Sequence, residues 1–213
     1  MKKIDAIIFD MDGVLIDSEV IVVSCWKEIG RRHNSPKLEE AARVSIGLNG
    51  IERKNSFLKV AGEDLPYEEY AAEQRGIFAD TLPPLKKGVR EIIAAIKKHG
   101  IPMGLATSTQ LSSVKRELSA HGIFDCFDVI VTRDMIEHGK PAPDIYLKAC
   151  EELKADPANA YGVEDSRNGL KALYDAGLHT ILVPDLVTVT EEMHEMAEAE
   201  LDSLLDVIGY LGL

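Results

Sequence analysis

The chain is poor in cysteine, with only Cys25, Cys126 and Cys150 in 213 residues and no C-x-x-C pair. That scarcity excludes a disulfide framework and a cysteine-rich zinc site, and it fits a reducing compartment. Long apolar runs are also missing. The opening Met1-Lys2-Lys3-Ile4-Asp5 has the charge of a secretory leader, but only Ala6-Ile7-Ile8-Phe9 follows before Asp10 interrupts it. Four residues are too few for the apolar part of a signal peptide. Nothing approaches the roughly 18 apolar residues of a membrane span, so a cytoplasmic protein without a membrane partner is expected. There is no basic stripe. A formal net charge of −12 argues against nucleic acid as a partner, because binding its backbone needs cationic side chains that release counterions. It leaves room for a phosphorylated small molecule, since one lysine and one divalent ion can dominate the field inside a site. Internal repeats and low-complexity tracts are absent. What remains is 46% hydrophobic and 28% charged, the composition of a globular protein. The length suits one sizeable core, or a core with a smaller appendage. A monomer is expected.

Strand signals are missing between residues 17 and 82. Before that gap, Ile4 to Phe9 is a short Ile-rich run that ends in a loop at Gly13 and reads as a buried parallel strand. Within the gap, Val22, Val23, Trp26 and Ile29 recur at helical spacing and predict a helix over 18–32, stopped by Asn34-Ser35-Pro36. Helices are predicted over 38–46, 51–61 and 67–79, separated by Gly47-Leu48-Asn49-Gly50 and Gly62-Glu63-Asp64-Leu65-Pro66. Leu82-Pro83-Pro84 ends the block as a stiff linker.

Beyond it the pattern alternates. Helix 88–99 precedes strand 101–106, helix 111–121 precedes strand 129–131, and helix 144–153 precedes strand 160–163. Helix 168–176 and strand 180–183 follow, then a helical region with Met193, Met196, Leu201, Leu204, Leu205 and Ile208. Such alternation implies right-handed βαβ units, hence an α/β fold with helices on both faces of a parallel sheet. The predicted core is 1–16 with 83–213, and the all-helical stretch 17–82 is an insertion capping the strand ends. Trp26, Tyr67, Tyr70 and Phe78 are expected in the cap's own core.

Three of the predicted strands end in side chains suited to phosphate chemistry. Asp10 and Asp12 are two apart, so in extended geometry both project to one side. One can attack phosphorus while the other handles a proton. Alone, Asp-x-Asp-Gly is also an ordinary polar turn. Thr107-Ser108 follows a strand and precedes a helix, which suits an N-cap and an anion site equally. Lys140 lies in Gly139-Lys140-Pro141-Ala142-Pro143-Asp144, where two prolines cut local freedom and pre-position a cation. His138 has no such support and is expected at the surface. Glu164-Asp165 ends a third apolar run; paired carboxylates repel unless a cation lies beside them. With Asp10 and Asp12 near, a four-acid cluster calls for Mg²⁺, which favours an octahedral oxygen site of carboxylates, water and substrate phosphate.

As a set, Asp10-x-Asp12-Gly13, Thr107, Lys140 and Glu164-Asp165 resemble the four motifs of the haloacid dehalogenase superfamily of phosphotransferases. Phe9-Asp10-Met11-Asp12-Gly13-Val14-Leu15-Ile16-Asp17-Ser18-Glu19, Gly139-Lys140-Pro141-Ala142-Pro143-Asp144 and Val163-Glu164-Asp165-Ser166 are similar to its β-phosphoglucomutase-like subgroup. The resemblance covers the core and the place and size of the cap. It implies a Rossmann-like core and Mg²⁺ dependence. Asp10 would be the nucleophile forming an aspartyl-phosphate, and Asp12 the acid and then the base. Thr107, with the Ser108 backbone N–H, would hold phosphoryl oxygens, and Lys140 would neutralise charge between nucleophile and phosphate. Asp10, the Asp12 backbone carbonyl and Asp165 would bind the metal, with Glu164 a direct or water-mediated partner. Dehalogenation needs no acid–base residue at position 12.

The subgroup holds hydrolases and a mutase. Mutases carry a His on the first cap helix and a Lys and Arg around a later turn; the matching positions here are Val22, Ile46 and Gly50. A mutase must grip a second phosphate, and losing a buried Arg contact costs on the order of 2–5 kcal/mol. Arg43, Arg53 and Lys54 are the candidate substitutes. The expected activity is therefore phosphatase action on a small phosphorylated metabolite. The alternatives are a phosphosugar mutase, a Schiff-base hydrolase using Lys27 or Lys54, and a non-catalytic binder, which would not need the Asp10/Asp12 pair. Ile16-Asp17 and Leu82-Pro83-Pro84 are the expected hinges of a cap that closes over substrate.

Overall fold

The computed structural model describes residues 3–48 and 50–213. Met1 and Lys2 of the opening run, and Asn49 of the Gly47–Gly50 separator, lie outside the described residues. In chain order the elements are β1 (Ala6–Phe9), α1 (Ser18–Arg32), α2 (Leu38–Arg43), α3 (Gly50–Ala61), α4 (Tyr67–Ala79), α5 (Val89–His99), β2 (Met103–Thr107) and α6 (Leu111–Ala120). They continue with β3 (Val129–Thr132), α7 (Asp144–Leu153), β4 (Ala160–Glu164), α8 (Arg167–Ala176), β5 (His179–Leu182), α9 (Glu191–Met196), β6 (Ala199–Glu200) and α10 (Leu204–Leu211). No helix among the described residues is long and apolar enough to cross a membrane. The chain falls into two compact units, Met1–Ile16 with Leu85–Leu213, and Asp17–Pro84.

The first unit is one parallel sheet in the order β3-β2-β1-β4-β5-β6. Its strands are apolar on both faces because helices cover both. Ile7 and Phe9 pack with Val89, Ile92 and Ile96 of α5 and with Leu118 of α6. Ala6 and Ile8, one residue out of step, pack on the other side with Tyr146 and Ala149 of α7 and Leu173 of α8. This is the period-2 alternation of a strand written into one four-residue segment. Register places Phe9 level with Leu105 on one side and Val163 on the other. The ends of β1, β2 and β4 therefore open at the same edge, where the strand order reverses around β1. Ligands of open α/β sheets bind at such a place.

The second unit consists of α1 to α4 around its own cluster. Trp26 lies tilted against Phe57 at 4.4 Å (ring centroids) and stacks at 6.0 Å from Tyr67, and Phe57 meets Tyr67 edge-on at 5.3 Å. Tyr70 packs at the cluster's margin. Phe78 does not join it and is only half-buried; Phe57 fills the aromatic position instead. Helix 38–46 is also shorter than expected: it ends at Arg43, and residues 44–47 form turns. The C-terminal region is not all helical, because Ala199–Glu200 adds a short sixth strand beside β5.

Candidate active site

Burial and charge conflict most sharply at the end of β1. Asp10 directly follows Phe9, its backbone N–H donates to the Val163 carbonyl (3.0 Å), and its side chain is buried. Its carboxylate meets the Lys140 ammonium, with Nζ 2.6 Å from Oδ1. Lys140 comes from the loop before α7, and its side chain is only 6% exposed. The ammonium has three donors, and all are used: Asp10, the Ala106 carbonyl (3.0 Å) and Glu164 Oε1 (2.6 Å). It also stands 4.9 Å from the centre of the Tyr146 ring. Burial alone would lower the Lys140 pKa; the Asp10 and Glu164 carboxylates outweigh it and raise it, so the cation is fixed.

Glu164, the last residue of β4, is fully buried and held by five donors. Oε1 accepts from Lys140 Nζ and the Tyr146 hydroxyl (2.7 Å). Oε2 accepts from the backbone N–H of Asp165 (3.2 Å), the N–H of Ser166 (3.3 Å) and the Ser166 hydroxyl (3.1 Å). The Ser166 hydroxyl in turn accepts from Gly169 N–H (3.1 Å) and caps α8. Ser166, not Asp165, is thus the N-cap of α8.

Asp165 is buried and, among the described residues, its carboxylate accepts no hydrogen bond. Carboxylate oxygens of Asp10, Glu164 and Asp165 all lie within 4.8 Å of one another. Burial, then the charges of Glu164 and Asp10, push the Asp165 pKa well above the usual carboxylate range. Asp10 is pushed up to about 7 by burial and by Glu164 and Asp12, against the pull of Lys140. One ammonium does not balance three buried carboxylates. Gly13, at φ +81°, brings the loop backbone so close that a Cβ there would stand 2.2 Å from Asp165 Oδ2. An orphaned buried carboxylate beside a backbone loop, in an all-oxygen donor set, suits a hard divalent ion.

Asp12 belongs to a different hydrogen-bond network from Asp10. β1 ends at Phe9 and the chain bends, so Asp12 Oδ2 accepts instead from the Thr109 hydroxyl (2.7 Å). The cluster thus holds three of the four expected acids. Thr107 is fully buried at the end of β2, and its Oγ1 accepts from the Thr109 N–H (3.0 Å). Ser108 is exposed. Neither caps α6, whose N-cap is Gln110 without a side-chain bond. His138 is exposed, with Nδ1 3.0 Å from Asp144 Oδ1.

A family model described as haloacid dehalogenase-like hydrolase matches residues 4–177. The chain is a haloacid dehalogenase-like hydrolase. The hydrolase is 34% identical over 223 residues to the protein CbbY of Cereibacter sphaeroides, covering 99% of this chain and 96% of that one. It is 30% identical over 180 residues to the phosphorylated carbohydrates phosphatase of Thermotoga maritima, covering 83% of each. A crystal structure of a CbbY mutant from Rhodobacter sphaeroides in complex with xylulose-(1,5)bisphosphate superposes with a TM-score of 0.72 at 30% identity, covering 94% of this chain and 95% of that one. The hydrolase is of the phosphatase kind.

Two residues of the hydrolase's site escaped the sequence reading. Thr109 was signalled by a Thr-Ser-Thr run after a strand. Tyr146 was not, because an aromatic two residues into a helix reads as core. Gly169 is the third support: a Cβ there would stand 1.8 Å from Glu164 Oε1. Five donors keep that oxygen pair from yielding. Gly169→Ala is therefore expected to destabilise by about 1–3 kcal/mol, read as a lowered urea midpoint at unchanged slope.

Proposed function

We propose that this hydrolase removes phosphate from a small phosphorylated carbohydrate, in a divalent-ion-dependent reaction through an aspartyl-phosphate on Asp10. The single observation that carries the reading is Lys140 between Asp10 and Glu164, beside an Asp165 carboxylate with no donor of its own. That arrangement keeps a nucleophilic carboxylate next to a fixed cation, as transfer of a charged phosphoryl group requires. The names and bound ligand of the relatives support a sugar phosphate as substrate class.

In the first displacement an Asp10 carboxylate oxygen attacks phosphorus, the ester O–P bond breaks, and Asp12 gives a proton to the departing alcohol. In the second, Asp12 takes a proton from water, which attacks the same phosphorus and releases phosphate and Asp10. Thr109 holds the Asp12 side chain between the two. Thr107 and the Ser108 N–H bind phosphoryl oxygens. Asp10, the Asp12 carbonyl and Asp165 would hold the ion, taken to be Mg²⁺. Glu164 keeps Lys140 in place and, with protein donors on both its oxygens, would meet the ion through water. When bound, the ion offsets charge on the phosphoryl oxygens. The free cysteines support a reducing, cytoplasmic setting.

Hydrolysis is favoured over the mutase alternative by two observations in the helical unit. Val22, at the mutase His position, packs against the Trp26 cluster. Arg53, a candidate second-phosphate ligand, is turned onto Glu19 (2.7 and 2.9 Å) and the Ser45 carbonyl (3.2 Å). The test is a panel of sugar phosphates with Mg²⁺ or with EDTA. Metal-dependent release of free phosphate is expected; conversion of β-glucose 1-phosphate to glucose 6-phosphate without free phosphate would overturn the reading.

The raised Asp10 pKa sets a pH dependence. Below about 7 the carboxyl is protonated and competes with the ion, so metal affinity should rise with pH, approaching tenfold per unit below pH 7 and levelling above it. In metal-free protein the sign is opposite. The unfolded chain ionises first, near the ordinary Asp value, so this group's contribution to stability falls as pH climbs toward about 7. Added Mg²⁺ should therefore raise the melting temperature more at pH 7.5 than at pH 5.5. Calorimetric titration in two buffers of different ionisation heat reads the proton released.

A further inference from the structure

Asp185 is an acid that the chemistry above does not use. It follows β5 by three residues, and β5 lies beside β4, with Val183 N–H donating to the Glu164 carbonyl at 2.8 Å. The loop carrying Asp185 thus leaves the sheet next to Glu164 and Asp165. Its side chain is only 7% exposed. One oxygen, Oδ1, is bridged to the Lys86 ammonium. The other, Oδ2, is buried with no hydrogen-bond partner. A buried carboxylate oxygen without a donor is costly and calls for an explanation. An anchoring ion pair needs only one of the two oxygens, so anchoring does not account for the second. Asp185 leaves the sheet from the strand that pairs with the one ending in Glu164. It is not among the three acids within 4.8 Å of one another. The part assigned to it below is accordingly with the hydration shell of an ion and not as a direct ligand.

We propose that Asp185 is a positioning carboxylate of the divalent-ion site, accepting a hydrogen bond at Oδ2 from the ion's hydration shell while Lys86 fixes Oδ1. The inference rests on the ion site read above. Groups of this kind, one step removed from the ligands, typically change metal affinity 10–100-fold when removed.

The experiment measures Mn²⁺ affinity without substrate, by the electron paramagnetic resonance signal of free Mn²⁺, for wild type, Asp185→Asn and Lys86→Met. The Asn variant keeps the shape and an oxygen for Lys86; circular dichroism in EDTA checks its fold. Weakening of about tenfold or more in Asp185→Asn, with Lys86→Met unchanged or tighter because a nearby positive charge is gone, is expected. Affinity of Asp185→Asn within twofold of wild type overturns the proposal. Equal weakening in both variants also overturns it, since the pair would then only anchor the loop. If Asp185→Asn does not fold, weaker binding by Lys86→Met alone overturns it, and equal or tighter binding supports it. Wild type that binds no Mn²⁺ removes the ion site and this inference together.

Discussion

Asp10→Asn abolishes turnover of p-nitrophenyl phosphate, with kcat falling by about 10⁴-fold or more, while the protein stays folded. The size of the loss follows from the part proposed for the residue: removing one member of a covalent catalytic unit costs about as much as removing the unit. Survival of the fold follows from its surroundings. Asn has the same shape and an oxygen for Lys140 Nζ, and Lys140 keeps the Ala106 carbonyl and Glu164. The β1 backbone bond to Val163 is untouched. Activity with Mg²⁺ and far-ultraviolet circular dichroism are measured on the same preparation. Turnover within tenfold of wild type would show that Asp10 is not the nucleophile.

Lys140→Ala carries the largest expected loss of stability. Among the described residues, the ammonium is the one positive group in contact with both Asp10 Oδ1 and Glu164 Oε1, at 2.6 Å each. Without it, two buried carboxylates face each other uncompensated. Removing one partner of a buried ion pair destabilises by about 3–5 kcal/mol, so the urea midpoint should fall steeply in metal-free protein. Adding Glu164→Gln removes one of the stranded charges and should recover part of the loss. Turnover should not return, because the cation beside the nucleophile is still gone. A single variant within about 1 kcal/mol of wild type would mean that the carboxylates find another partner or take up protons at no cost.

How much of this could be read beforehand depended on where the determining contacts lay. β1 and β4 are legible because burial on both faces forces continuous apolar runs, and Asp10, Thr107, Glu164 and Asp165 are legible because each directly ends or follows a run. Lys140 took its weight from the neighbouring prolines. Other features are set by contacts distant in sequence. β6 is two residues long and exists only through its pairing with β5. Phe57 outranks Phe78 because it meets Trp26 and Tyr67 across helices, which periodicity within one helix does not reveal. Tyr146 looks like a core aromatic until its hydroxyl is seen on Glu164. Asp12 shows the same limit: its carboxylate accepts from the Thr109 hydroxyl, 97 positions further on.

The central place of β1 has a consequence for the chain's birth. The strand is translated before both of its neighbours, and Asp10 meets the Lys140 ammonium across a separation of 130 positions. Contacts of that sequence separation form slowly. A growing polypeptide therefore carries the Asp10 carboxyl through the whole helical unit before either flanking strand is made, and further still before Lys140, Glu164 and Asp165 complete its surroundings.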